Sequence, residues 1–419
     1  MALPETLGLI TILFKSYNYS MVVAIVLAVM LVSTNGRSIV AQHSLSGTPP
    51  GYPPSLKPGC LKPDSQNVDL WCPGDGGYGC YKIPTLLRTA NGTLLGMIEA
   101  RKFSCDDRGY IDLQLRRSHD DGKTWGPSQF VYGNSTDSHW TSVGDANMVQ
   151  DATTGTIWLL HTRNNSHMFM SYSGDEGASW SSPRDVTASL KLGYPTQSWI
   201  GTGHAGGIQL SNGPHKGRLI IPAYSNTSYT VYSDDHGKTW GIGGGVGCDE
   251  KACGGENQMA ETGSYTVDGT PILIMSTRNS PKLPPGITGE GYRLQALSHD
   301  GGLSWGAPWE AKDLPEPIKG CDGSIVYHPG TNKLYFSHPD PPLDLFRTRL
   351  RIWSSSNMGA SWESLGVVWP EAAGYSALVV MHTHTTPANE WELGVLYDRN
   401  NHTMVVFEAQ GVSFTTMGV

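Results

Sequence analysis

Three groups of residues in this chain have the types and spacings that chemistry uses. His382 and His384 alternate at strand spacing, which would put two imidazoles on one face and make half of a metal site. No clear third ligand accompanies them, so a metal centre is not expected. The seven cysteines, Cys60, Cys72, Cys80, Cys105, Cys248, Cys253 and Cys321, contain no CxxC pair, which also argues against a metal. Their odd number leaves at least one thiol unpaired within the chain; Cys72 with Cys80, and Cys248 with Cys253, are close enough to staple short loops. The third group is Asp120, Asp175, Asp235, Asp300 and Asn357, each at the third place of the same short frame.

That frame is S-x-[DN]-x-G-x-[ST]-W, and its copies begin at Ser118, Ser173, Ser233, Ser298 and Ser355, a period of 55 to 65 residues. A repeat of this length marks a supersecondary unit used several times, each copy burying its apolar face against the next. The acidic or amide side chain bonds neighbouring backbone amides in a tight turn, and the glycine supplies the positive φ that other residues resist. The closing tryptophan enters the next strand as an apolar anchor. The frame resembles the Asp-box, the hairpin loop of sialidase-type β-propellers. Such boxes also occur in propellers that are not enzymes, so they speak for fold, and their carboxylates are structural. With residues 78–117 and 363–419 supplying the strands of a remaining blade, the expected fold is all-β, a six-bladed propeller of four-stranded blades.

Composition agrees with this class. Gly 51, Pro 27 and Trp 13, with 16% charged residues, fit an all-β protein dense in turns. The net charge of −8 argues against a nucleic-acid partner and provides no basic patch for a membrane surface. Met21 to Val32 is an uninterrupted apolar run preceded by Lys15 and followed by Ser33-Thr34-Asn35-Gly36. Its twelve residues fall short of the ~20 that span a bilayer and match the core of a signal peptide. A second apolar stretch, Leu7 to Phe14, leaves a retained signal anchor open, and only then would a membrane be a partner. Residues 1–36 are therefore expected to be a signal peptide or anchor, 37–70 a Pro/Gly-rich linker, and 71–419 the propeller domain. Sequons at Asn91, Asn134, Asn164, Asn226 and Asn401 favour the secretory route: lysosomal, extracellular, or anchored with a lumenal domain.

The residues that carry a catalytic reading come from a further resemblance. Tyr81-Lys82-Ile83-Pro84, ahead of the boxes, looks like the [FY]-R-I-P signature of exo-α-sialidases. Glu99-Ala100-Arg101-Lys102, Asp106-Asp107-Arg108-Gly109 and Leu115-Arg116-Arg117-Ser118 continue the resemblance, which runs to about residue 408 and is nearest in character to lysosomal-type and bacterial sialidases. It implies hydrolysis of terminal sialic acid from glycoproteins, oligosaccharides or glycolipids, with no metal or organic cofactor. Sialic acid carries a carboxylate on its anomeric carbon, and arginine forks meet a carboxylate best. The family's second and third arginines match Arg278 and Arg347, and Arg101 joins the implied substrate-binding set; the first arginine is here Lys82. Lysine keeps the charge and loses the fork.

A substrate carboxylate also repels a carboxylate nucleophile, and the family uses a tyrosine activated by a glutamate instead. Tyr375 in Gly374-Tyr375-Ser376 matches the nucleophile and Glu256 in Gly255-Glu256-Asn257-Gln258 its base. Asp107, nine residues before Arg116, matches the acid/base and is preferred over its neighbour Asp106; the resemblance puts it on a mobile loop. Asp398 occupies the place of the glutamate that grips the first arginine, so a shorter acid accompanies a shorter base. Trp140 and Trp199 are expected on substrate-side loops. Two rival readings stand beside this one: a hydrolase for a related 2-ulosonic acid such as a deaminated sialic acid, and a non-catalytic propeller that binds acidic glycans.

Overall fold

The computed structural model describes residues 67–419 except 136–137, 194, 197–198, 247–253, 280–290, 318–319, 342–346, 382–391 and 401–410. The chain divides into two units, Met1–Pro49 and Pro50–Val419, and every described residue belongs to the second. The N-terminal segment, the Cys248/Cys253 and His382/His384 pairs and the Asn401 sequon lie outside the described residues.

The architecture is all-β and propeller-like. β1 (Val68–Trp71) straddles the expected linker boundary. Next come two antiparallel four-stranded sheets: β2 (Cys80–Arg88), β3 (Leu94–Arg101), β4 (Ile111–Ser118) and β5 (Gln129–Tyr132); then β6 (Val143–Gln150), β7 (Ile157–Arg163), β8 (His167–Ser173) and β9 (Arg184–Asp185). The third is five-stranded, with β10 (Gly201–Thr202) and β11 (Ile208–Gln209) both pairing β12 (Leu219–Tyr224), followed by β13 (Ser228–Ser233) and β14 (Gly241–Val246). A four-stranded sheet follows, β15 (Gly254–Tyr265), β16 (Pro271–Asn279), β17 (Gly291–Ser298) and β18 (Trp309–Glu316).

The last sheet has seven strands: β19 (Ser324–His328), β20 (Lys333–Pro339), β21 (Thr348–Ser355), β22 (Glu363–Met381), β23 (Glu392–Arg399), β24 (Gly411–Gly418) and, beyond it, β1. Its long strand β22 changes partner midway, pairing β21 up to Ala372 and β23 from Ala373 onward. Pairing of β1 with β24 joins the two ends of the described chain into one sheet. The inner strands pack in a closed circle, β2 on β6, β6 on β12, β12 on β15, β15 on β19, β19 on β22 and β22 back on β2. Between neighbouring sheets sit separate apolar clusters, such as Leu95, Met97 and Leu113 against Val143, Met148 and Leu159. The described residues contain one short α-helix, Thr187–Leu190, and a 3-10 turn, Asp75–Gly77.

The recurring frame performs the turn function expected of it. In the first copy the Ser118 hydroxyl donates to Asp120 at 2.8 Å and accepts from the Gly122 amide at 2.9 Å. The Asp120 carboxylate accepts from the Thr124 amide (2.8 Å) and hydroxyl (2.5 Å). These bonds recur around Asp175, Asp235 and Asp300, and hold the Asp175 carboxyl at about 2. Where Asn357 replaces the acid the polarity reverses: its amide donates to Ser361 at 2.8 Å. Each closing tryptophan wedges toward a neighbouring sheet. Trp125 lies edge-on to Phe414 and Trp240 edge-on to Trp158.

Candidate active site

Four inner strands carry a β-bulge at their site residue: between Lys82 and Thr85 in β2, Gly144 and Asn147 in β6, Gly254 and Asn257 in β15, and Ala373 and Ser376 in β22. A bulge breaks the period-two alternation and re-aims a side chain. The result is visible in the backbone at Ile83, a β-branched residue at φ 62, and at Asp145, at φ 46. Lys82, Asp145, Glu256 and Tyr375 thereby converge on one cavity of about 800 Å³. Arg101, Asp107, Arg278 and Arg347 also line it, as does Trp199. Trp140 is exposed and is not among the lining residues.

At its floor the Tyr375 hydroxyl donates to Glu256 Oε1 at 2.9 Å. Arg278 Nη1 donates to both, at 2.5 Å to Glu256 Oε2 and 3.1 Å to the Tyr375 oxygen. The Arg347 guanidinium lies over the Tyr375 ring, 5.0 Å from its centroid, and donates to the Gly320 carbonyl. Burial and the Glu256 charge push the Tyr375 phenol well above its usual range. Burial works against ionisation of Glu256, but the Arg278 charge and the His204 contact outweigh it and hold this carboxyl well below the carboxylate range.

Lys82 is buried, and desolvation with the nearby Arg101 charge lowers its ammonium to about 8. Asp398 lies behind it, fully buried and outside the lining; its Oδ1 accepts from the Gly374 amide at 2.7 Å, and desolvation raises its pKa. Arg101, at the end of β3, directs Nε and Nη2 to Glu99 and Nη1 to Asp107 (2.9 Å) and to the Cys105 carbonyl. Asp107 is two-thirds exposed; burial of the remainder raises its pKa, but Arg101 and Lys82 prevail and lower it. Asp106 faces Ser104 instead, accepting its hydroxyl at 2.9 Å.

The cysteine pairing differs from the sequence expectation. Cys80 is bonded to Cys105, with Cα atoms 5.5 Å apart, and Cys72 is disulfide-bonded to a residue other than Cys80. Proximity in sequence misled because the β3–β4 loop folds back over the end of its own strand pair and brings Cys105 to Cys80. Cys321 is free and buried.

Two site residues were not anticipated. His204, in Gly203-His204-Ala205 just after β10, is buried between two carboxylates, 3.7 Å from Asp145 and 3.7 Å from Glu256, with its ring edge-on to Tyr375. Burial disfavours its charge, yet Glu256, Asp145 and Asp322 raise it to about 9. Asp145 sits opposite, its amide donating to Glu99 at 2.8 Å; desolvation lifts its carboxyl well above the usual range. The available signal for Asp145 was an acidic residue inside the buried strand Val143 to Gln150. The cavity lining therefore joins a cationic group (Lys82, Arg278, Arg347) to polar and aromatic residues (Asp145, Asn165, Trp199, Tyr224). Among the described residues no group of three or more His, Cys, Asp or Glu could hold a metal ion.

A family model described as the BNR repeat-like domain matches residues 93–386. The chain belongs to the sialidase/BNR-repeat family. Among family members it is 30% identical over 373 residues to a sialidase of Micromonospora viridifaciens, covering 79% of this chain and 51% of that protein. It is 34% identical over 289 residues to Homo sapiens sialidase-4, covering 59% of this chain and 54% of that protein. The chain thus spans about half the length of these two BNR-repeat relatives. The solved structure of the Hadza microbial sialidase Hz136 matches with a TM-score of 0.67 at 23% identity, covering 84% of this chain and 68% of that one, a likeness of fold.

Proposed function

We propose that this chain is a retaining exo-α-sialidase that removes terminal sialic acid from glycoconjugates through a tyrosine nucleophile. The observation that carries the reading is the bond from the Tyr375 hydroxyl to Glu256 at 2.9 Å beside the cationic group of Lys82, Arg278 and Arg347. A buried phenol far above its usual pKa is inert alone, so a carboxylate at hydrogen-bond range is needed to accept its proton. Arg278 is shared between Glu256 and Tyr375, which keeps Glu256 a weak base. A substrate carboxylate competes for Arg278, and Glu256 becomes more basic as that contact is lost. Binding of the correct anion thereby switches on the nucleophile.

In this reading Tyr375 attacks the anomeric carbon while Asp107 gives a proton to the departing glycosidic oxygen. Water, deprotonated by Asp107, then releases the sugar with net retention. The cations beside Asp107 favour its ionised form; a bound substrate carboxylate offsets the Lys82 charge and raises the proton affinity that an acid needs. Lys82, with Asp398 behind it, takes the first arginine's place, a single point charge for a fork.

Several wider features belong to the same proposal. Six blades of four strands fit the closed circle of inner strands, with β22 shared by the last two. Residues 1–36 act as a signal peptide or anchor, 37–70 as a linker and 71–419 as the catalytic domain. The four sequon asparagines among the described residues, Asn91, Asn134, Asn164 and Asn226, are all exposed, which supports passage through the secretory pathway. A hydrolase for a deaminated sialic acid is the second reading, favoured by Lys82 where the family has arginine. Purified protein assayed on matched fluorogenic sialosides and deaminated sialosides tests both: preference for the former supports the proposal, and preference for the latter supports the alternative. Binding to both without turnover would make the protein a non-catalytic glycan binder.

A further inference from the structure

The loop that carries Asp107 is cross-linked rather than loose. Cys80 opens β2 two residues before Lys82 and is fully buried; Cys105 lies two residues before Asp107. Cys80 is also the cross-strand partner of Arg101, so the disulfide folds the chain beyond β3 back over the end of its own strand pair. Arg101 grips the same turn through the Cys105 carbonyl and the Asp107 carboxylate. On the far side the Gly109 amide donates to the Ser142 hydroxyl at 2.9 Å. Asp107 itself is exposed for two-thirds of its side chain.

We propose that the Cys80–Cys105 disulfide is a positioning element for acid/base catalysis, fixing the Asp107 loop against the strand that carries Lys82. This rests on Asp107 being the acid/base. An exposed carboxyl on a loop between two strands samples many positions, whereas proton transfer in a transition state demands one. The bond joins the acid's loop to the strand holding the substrate's carboxylate, so it fixes the distance between leaving-group oxygen and proton donor. Loss of the bond is felt where protonation matters. A sugar alkoxide departs only with a proton, and a nitrophenolate departs without one.

The test compares kcat/KM, which reports only the steps through departure of the leaving group, on sialyllactose and on 4-nitrophenyl sialoside for the native protein, the double variant Cys80→Ser/Cys105→Ser, and Asp107→Asn. The ratio of lactose-linked to aryl-linked kcat/KM is expected to fall at least ~10-fold in the double variant, in the same direction as in Asp107→Asn. Equal losses on the two substrates, or an unchanged ratio, would overturn the positioning role. A ratio that does not move even in Asp107→Asn would overturn the assignment of Asp107 first, and the proposal with it.

Should the double variant fail to fold, the native protein is reduced with dithiothreitol. The reagent gives two electrons and two protons to the Cys80–Cys105 bond, leaving two thiols and its own cyclic disulfide. Alkylation mapped to residues 80 and 105 reports the extent, and tryptophan fluorescence reports the fold. The same fall in ratio, reversed on reoxidation, is expected; an unchanged ratio in folded, reduced protein overturns the proposal.

Discussion

Tyr375 and Glu256 lie 119 residues apart, on β22 and β15, and share a hydrogen bond of 2.9 Å at the floor of the cavity. Neither strand would aim its side chain there without its bulge, and Arg278 completes the triangle by donating to both oxygens. Replacement of Tyr375 by Phe keeps the ring under Arg347 and against His204 and removes only the hydroxyl. Turnover of sialosides should drop by at least ~10²-fold with the thermal midpoint nearly unchanged. Steady-state kinetics with circular dichroism melting checks both halves.

The proposed role of Lys82 predicts substrate binding that is sensitive to alkali. Its ammonium, lowered to about 8, is charged below that pH and neutral above it, so attraction for the substrate carboxylate is present below pH 8 and lost as pH rises through it. The free enzyme's kcat/KM should therefore fall on an alkaline limb near pH 8. Lys82→Arg paired with Asp398→Glu should move that limb beyond pH 10 and raise sialoside kcat/KM by about ten- to 100-fold, the worth of one further charge-assisted bond. A kcat/KM profile of both proteins decides it; an identical limb in each would remove Lys82 from the site.

His204 ties pH to stability in the same sense. Its pKa is raised from 6.5 to about 9 by flanking carboxylates, so the stability it contributes is fully present below pH 6.5 and is lost as pH climbs through 9. A shift of this size corresponds to the order of 3 kcal/mol. His204→Gln should flatten the decline in thermal midpoint between pH 6.5 and 9, and should be less stable than the native protein at pH 6. Melting curves across that range provide the check.

The turn glycines carry fold and no chemistry. At Gly237, φ is 83° and an added Cβ would stand 2.1 Å from the Trp158 ring. Gly237→Ala should cost about 1–3 kcal/mol of stability while the folded fraction keeps its kcat. Chemical denaturation paired with active-site titration separates the two effects.

How much of this was legible in the sequence follows from the kind of signal each part sends. The five frames announce themselves because turn chemistry is local: serine, acid, glycine and hydroxyl lie within eight residues and bond one another. Lys82, Glu256, Arg278, Arg347 and Tyr375 were legible only through resemblance, and the structure brings them to one cavity with Arg101 and Asp107. His204 and Asp145 stayed hidden because each lies beside an irregularity, a two-residue strand or a bulge, that alternation cannot anticipate. The Cys80–Cys105 bond was missed because a loop returning over its own hairpin leaves no mark in cysteine spacing.

The most direct test of the central claim is to trap the covalent intermediate. Incubation of the native protein with a 3-fluorosialosyl fluoride, followed by digestion and peptide mass spectrometry, should place the sugar on the Tyr375 oxygen. Label on Glu256 or Asp107, or steady turnover of sialosides by Tyr375→Phe at the native rate, would contradict it.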